Sequence, residues 1–191
     1  DYVWRGVSQS DEDPAIQGGF DYSHDSGLYA GVWGSNVDFD EGVADPAALE
    51  LDLYAGYAPD MEGVGIDAGF IRSLYPGTSA ALNWHAPSPA VSYHAFSASI
   101  NYSDDVFASD ETGIYYTLGY GQELGNSGFS LSAKVGYYDF DEDVNGSGSP
   151  DSYTDWQLGV STEVQGIGVD LSYFGTDSDG EDLYGDWAED R

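Results

Sequence analysis

The alternation of apolar and polar residues is the feature that most constrains this chain. In Leu49–Tyr57 the odd positions are apolar or aromatic, and the even positions are Glu50, Asp52, Tyr54 and Gly56. A period of two residues predicts a β-strand with one apolar and one polar face. This pattern fits both a half-buried strand of a soluble sandwich and a lipid-facing strand of a membrane barrel.

The same alternation recurs along the chain and predicts about eleven strands. They cover residues 1–7, 15–24, 28–37, 49–57, 64–75, 90–93, 96–102, 114–121, 129–138, 153–161 and 167–174. The sixth strand is the weakest, because Pro87 and Pro89 interrupt its start. We therefore expect a single all-β domain over residues 1–191.

The connections between these strands alternate in length. Long acidic segments at 8–14, 38–47, 76–89, 103–112, 139–152 and 175–191 alternate with short ones at 25–27, 58–63, 94–95, 122–128 and 164–166. Outer-membrane barrels have short periplasmic turns and long outer loops. The pattern favours an antiparallel up-and-down transmembrane β-barrel. A soluble acidic β-barrel or sandwich that binds a ligand is the alternative.

The composition excludes several classes of function. The net charge of −31 would repel nucleic acid, so we expect no nucleic-acid partner. The absence of cysteine excludes a disulfide framework and a thiolate metal site. The three histidines, His24, His85 and His94, lie in no metalloprotease motif, and no Gly-x-Ser-x-Gly motif occurs. We therefore expect no enzymatic activity.

Four stretches resemble a known family, the TorF-type putative porins. They are DYVWRGVSQSDEDPAIQGGFDY at 1–22, YAGVWGSNVDF at 29–39, LELDLYAGY at 49–57 and GYYDF at 136–140. The resemblance implies an outer-membrane barrel with a cleaved signal peptide and no catalytic residues. The family closes with one more strand that ends in an aromatic residue, whereas this sequence stops at Arg191. We expect a fragment that lacks the signal peptide, the first mature residues and a closing twelfth strand, since bacterial barrels have even strand numbers.

Charged residues on the polar faces of the strands are the candidate pore lining. They are Arg5, Asp21, Glu50, Asp52, Asp67, Lys134, Asp155 and Asp170. In an open lumen these carboxylates would favour cations. In a lumen filled by side chains they would instead form internal salt bridges.

Two further features have open interpretations. Arg72 falls on the apolar face of its strand, where it would meet lipopolysaccharide phosphate at the headgroup level, unless a bulge turns it inward. Asp141, Asp143 and Asn145 match the start of a calcium loop, but the closing Glu is missing. A solvated acidic loop is the default there, so we expect no cofactor beyond calcium bound weakly on the acidic loops.

The sequence thus predicts a porin-like protein of the bacterial outer membrane that passes small cations or small polar solutes passively. Its other expected partners are outer-membrane lipid and lipopolysaccharide, and homo-oligomerisation is left open. The alternative is a plugged barrel whose acidic loops serve as surface coat, adhesion or phage-contact elements.

Overall fold

The computed structural model describes residues 1–39, 46–59, 61–78, 82–106, 111–141 and 148–191. The strands are β1 Val3–Trp4, β2 Val7–Ser8, β3 Gln17–Ser23, β4 Leu28–Asn36, β5 Leu49–Tyr57, β6 Val64–Leu74, β7 Trp84–Tyr93, β8 Phe96–Ser103, β9 Gly113–Glu123, β10 Phe129–Phe140, β11 Ser152–Val164 and β12 Ile167–Thr176. A short helix, α1, covers Ser178–Tyr184, and a 3-10 turn follows at Gly185–Ala188.

Ten of these strands form one antiparallel sheet in which every strand pairs with its neighbours in the chain. The order runs from β3 to β12 without a crossover. This up-and-down topology confirms the predicted all-β fold class. The short connections all lie at one end of the sheet, the turn end, and the long ones lie at the other, the loop end.

The seventh strand is longer than the sequence predicted, and it includes both prolines. β7 pairs with β6 over ten positions but with β8 only from Ala90 to Tyr93. Pro87 and Pro89 have the same parity, so their missing N–H groups point to the same side of the strand. Because β7 is fully paired with β6, that side is the one toward β8, where the ladder stops before the prolines.

The prediction of a wall strand at residues 1–7 is wrong. The segment folds back on itself as a hairpin of β1 and β2, outside the ten-stranded sheet. Arg5 and Gly6 form its two-residue turn with φ of 51° and 81°. Two consecutive positive φ angles give the turn geometry that matches the twist of a tight hairpin. We call the segment Val3–Ser8 the inner hairpin.

Residues 175–191 are not a simple outer loop as predicted. β12 continues to Thr176, and the chain then forms α1, capped by the side chain of Asp177, which accepts from the backbone N–H of Gly180. Leu183, Tyr184 and Trp187 pack against the buried cluster beneath the inner hairpin. Within the described ranges, no helix is long and apolar enough to cross a bilayer.

The two faces of the sheet differ sharply. Large apolar side chains project outward and are exposed, as shown by Phe20 at 83%, Leu118 at 63% and Leu171 at 76%. The inward face contacts the inner hairpin, because Arg5 reaches the rings of Tyr115 and Tyr138 on β9 and β10. The sheet therefore curls around the hairpin, with its polar parity on the concave side.

The curled sheet is not closed. In the described part of the chain β3 and β12 are the two edges, and no hydrogen bond joins them. Gln17 of β3 and Asp170 of β12 nevertheless line one cleft. The backbones of Phe174 and Arg191 exchange two hydrogen bonds, of 2.7 and 3.0 Å, at the edge of β12.

Candidate functional site

The candidate site is the concave face of the sheet together with the inner hairpin. The guanidinium carbon of Arg5 lies 4.0 Å from the ring centroid of Trp4, 4.2 Å from that of Tyr115 and 4.4 Å from that of Tyr138. The Tyr153 hydroxyl donates to the backbone carbonyl of Arg5 at 3.0 Å. Arg5 is therefore part of the element that fills the loop end and does not line the wall, as the sequence had predicted.

Two of the predicted pore-lining residues form an ion pair on the wall beside this hairpin. The Nζ atom of Lys134 lies 3.7 Å from Oδ1 of Asp155, and the hydroxyl of Tyr115 donates to Oδ2 at 2.7 Å. Asp155 is buried, so both of its oxygens are satisfied where water is excluded. The pairing predicted for a filled lumen is present at this position.

Three tyrosines on the concave face each reach across a glycine on the next strand to an aspartate on the strand beyond. We call this arrangement a Tyr–Gly–Asp bridge. The three bridges are Tyr29–Gly56–Asp67, Tyr54–Gly31–Asp21 and Tyr115–Gly136–Asp155. In each, the ring or hydroxyl of the tyrosine occupies the space that a Cβ on the glycine would need. The glycines thus let aromatic rings lie flat on the sheet, and the aspartates anchor the hydroxyls.

Glu50 and Asp52 lie at the loop end of β5 and are buried beneath the aromatic side chains of the second core cluster. The Glu50 carboxylate accepts hydrogen bonds from the hydroxyls of Tyr2 and Tyr75. Burial, and next the charge of Glu50, raise the pKa of both tyrosines well above the ordinary range. These two carboxylates therefore lie in a protein interior and do not face an open lumen.

Asp170 has a different setting, because it lies on β12 at the edge of the sheet. Its Oδ1 accepts from the hydroxyl of Ser172 at 2.6 Å, and Ser172 also accepts from Gln157 at 3.1 Å. Asp170 is exposed and faces the cleft between β12 and β3. Of the predicted acidic residues, Asp21, Asp67 and Asp170 are the ones that remain accessible from the concave side.

The two remaining predictions fall outside this face. Arg72 is exposed on the outward face of β6, between Leu53 and His85 in the register of the sheet, and no bulge turns it inward. Its contact with a lipid headgroup stays a prediction. Asp141 is exposed, whereas Asp143 and Asn145 lie outside the described residues.

Sequence reasoning missed the tyrosines and glycines of the bridges. Tyr54 and Tyr115 both occur at polar positions of an alternating strand, which is an unusual place for a large ring. A glycine of the same facing on the adjacent strand, followed by an aspartate on the next, would have been the signal. Finding it requires the register between strands, which short-range alternation does not supply.

Comparison with known proteins places the chain in a family. The model of a family described as "Bacterial protein of unknown function (Gcw_chp)" matches residues 1–189. The chain belongs to this family. No curated protein matches it at a significant level.

One solved structure, a porin, resembles the chain at 17% identity with a TM-score of 0.44. The match covers 83% of this chain and 55% of the porin, so the chain spans about half the length of that protein.

Proposed function

We propose that this chain forms the wall of a bacterial outer-membrane β-barrel that passes small cations or small polar solutes. The observation that carries the proposal is the direction of the two faces. Leucine, isoleucine, valine and aromatic side chains are exposed on the convex side of all ten wall strands, and the polar residues lie on the concave side. A soluble sheet would bury the apolar face, whereas a membrane barrel exposes it to lipid.

The length of the strands supports the same proposal. β9, β10 and β11 contain 11, 12 and 13 residues. A tilted strand needs about 9–11 residues to cross the hydrocarbon core. The resemblance of 1–22 and 49–57 to TorF-type putative porins agrees with this proposal, and so does an outer-membrane location.

The preference for cations rests on the accessible carboxylates of the wall. Asp21, Asp67 and Asp170 lie on the concave face, and the cation on the same face, Lys134, is paired with Asp155. A passage lined by uncompensated carboxylates attracts cations and repels anions. The inner hairpin narrows this passage at the loop end.

A plugged structural barrel is the second candidate, and a specific observation favours it. The inner hairpin, α1 and the aromatic side chains of β9 to β11 pack into one buried cluster at the loop end. Such packing could close the passage completely, and the acidic loops would then carry the function as contact surfaces.

Conductance across a planar bilayer tests the proposal. We expect the refolded protein to form steady channels, with a reversal potential in a salt gradient that indicates cation selectivity. Asp67→Asn should reduce this selectivity, whereas Asp139→Asn, on the outward parity of β10, should leave it unchanged. A folded protein that stays electrically silent would reject the porin function and support the plugged barrel.

A further inference from the structure

Two carboxylates are buried side by side at the loop end of β5 without a charged partner. Glu50 is 3% exposed and Asp52 is 9% exposed, and they are two residues apart on the same face of the strand. Burying an ionised carboxylate is costly unless a counter-charge or hydrogen bonds replace the lost water. Each carboxylate feels the charge of the other, so the pair needs neutralisation.

The cationic side chains of the protein lie elsewhere. The chain has four lysine and arginine residues. Arg191 pairs with Asp1 and Glu12, and Lys134 pairs with Asp155.

The other two basic residues are also committed. Arg5 is enclosed by the rings of Trp4, Tyr115 and Tyr138. Arg72 points outward from β6.

The histidines are placed no better to neutralise the pair. His24 bonds to Ser26 in the turn after β3, His94 lies in the turn between β7 and β8, and His85 contacts Asp104 at 3.3 Å. The protein therefore supplies no counter-charge to Glu50 and Asp52 in its described part.

Three buried oxygens at this position also lack a hydrogen-bond partner among the described residues. They are Oε2 of Glu50, Oδ1 of Asp52 and the hydroxyl oxygen of Ser73. Ser73 is 0% exposed and lies directly opposite Asp52 in the register of β5 and β6. Cβ atoms of directly opposed residues are about 5 Å apart, so the hydroxyl is within reach of the carboxylate. Buried polar atoms without partners are rare and point to a missing ligand.

We propose that Glu50, Asp52 and Ser73 form a buried binding site for one hard divalent cation, of which calcium fits the ligands best. All three ligands are oxygens, which calcium prefers, and calcium tolerates irregular coordination where magnesium demands an octahedron. A divalent cation would balance the two negative charges. The site is built from two carboxylates and a hydroxyl, and no cluster of three or more Asp, Glu, His or Cys side chains occurs in the described residues.

The surroundings of the site make it measurable. Tyr2, Tyr75 and Trp84 pack in the same cluster, so a bound terbium ion, which replaces calcium at oxygen sites, would be excited through their rings. The full chain, refolded in detergent and freed of metal with a chelator, should show saturable terbium emission that calcium displaces. This binding does not depend on whether the lumen conducts.

Substitutions separate this site from the acidic loops. Glu50→Gln and Asp52→Asn keep the shape of each side chain and should each weaken terbium and calcium binding by about tenfold or more, because affinity follows the number of charged ligands. Ser73→Ala should weaken binding less, since it removes a neutral ligand. Asp67→Asn, whose carboxylate accepts from Tyr29 at 2.8 Å, should bind as the wild type does.

The possible outcomes decide the proposal. Saturable emission that is lost in Glu50→Gln and Asp52→Asn but kept in Asp67→Asn supports it. Emission that is equal in all variants would arise from the acidic loops and would overturn it. Absence of saturable emission would also overturn it and would mean that protons neutralise the pair. If a variant fails to fold, calcium should still raise the unfolding temperature of the wild type relative to the chelated protein, and no shift would reject the site.

Discussion

At the scale of single residues, the tyrosines of the concave face stabilise the sheet in a way that depends on glycine. Tyr115 crosses Gly136 and donates to Asp155, which also pairs with Lys134. The ring covers backbone that would otherwise be bare, and the buried carboxylate gains a donor. One glycine thus allows two interactions that no larger residue would permit.

The Tyr115–Gly136–Asp155 bridge predicts a specific effect of a single methyl group. A Cβ at residue 136 would overlap the hydroxyl of Tyr115 and Oδ2 of Asp155. We expect Gly136→Ala to lower the free energy of unfolding by about 1–3 kcal/mol, the usual cost of overpacking. Urea unfolding of the refolded protein in detergent measures this change.

Gly121 offers a matched control for that experiment. It lies on the adjacent strand β9, and a Cβ there would meet no atom within 4 Å. Gly121→Ala should leave the stability within about 0.5 kcal/mol of the wild type, as surface substitutions usually do. Equal losses in the two variants would show that the bridge adds nothing beyond the ordinary effect of replacing a strand glycine.

Residue facing was largely predictable, whereas partnership was not. Alternation correctly assigned Asp52, Asp67 and Asp155 to the polar face. It could not show that Asp52 is buried without a partner, or that Asp155 meets Tyr115 across two strands. Those contacts depend on register and on the hairpin that covers them, and neither is encoded within a single strand.

At the scale of elements, the inner hairpin is the part of the fold that alternation misassigned. Residues 1–7 alternate as a wall strand does, because a short hairpin that packs inside a curled sheet also has one face toward aromatic rings. The signal that distinguishes it is the Arg5–Gly6 pair, where φ is positive at both positions. A two-residue turn that ends in glycine between β-branched or aromatic residues is typical of a tight hairpin.

Gly6 links the hairpin to the wall, which leads to a second prediction. A Cβ at residue 6 would lie 2.6 Å from Cγ2 of Thr176 and 2.8 Å from Cβ of Asp155. Gly6→Ala should therefore displace the hairpin, lower the free energy of unfolding and raise the conductance if the hairpin narrows the passage. Thermal unfolding and planar-bilayer recording measure the two effects.

Gly166 separates packing from backbone strain in this test. Its φ of 83° matches the 81° of Gly6, but a Cβ there would meet nothing within 4 Å. Both Ala variants pay about 1–2 kcal/mol for the left-handed backbone. Only Gly6→Ala should show a further loss and a change in conductance. If the two variants behave alike, the hairpin is not tightly packed against β11 and β12.

At the scale of the whole molecule, the sequence predicted the ten wall strands and the asymmetry of their connections. Strand count and loop length depend on local composition, which can be read without a structure. Closure of the sheet cannot be read in this way, since it depends on how far the strands twist and on which edges meet. The cleft between Gln17 and Asp170 shows that curvature brings the two edges to face each other.

The direction of the apolar face gives the third prediction, which separates a membrane wall from a soluble sheet. Leu118 lies at the middle of β9 and is 63% exposed on the convex side. In a bilayer, Leu118→Arg places a charge in hydrocarbon and should cost about 2–4 kcal/mol, the depth-dependent penalty for arginine on a lipid-facing strand. Folding into lipid vesicles, followed by protection from protease, measures this loss.

Ser132→Arg is the matched variant, because Ser132 lies on the concave parity of the neighbouring strand β10. In a membrane wall this arginine would face water and nearby carboxylates, so insertion into vesicles should be close to that of the wild type. In a soluble barrel with a buried concave face the order would be reversed, since the arginine at 132 would enter the core and the one at 118 would meet solvent. The ranking of these two variants therefore decides which solvent each face of the sheet contacts, and it does so without requiring that the protein conduct ions.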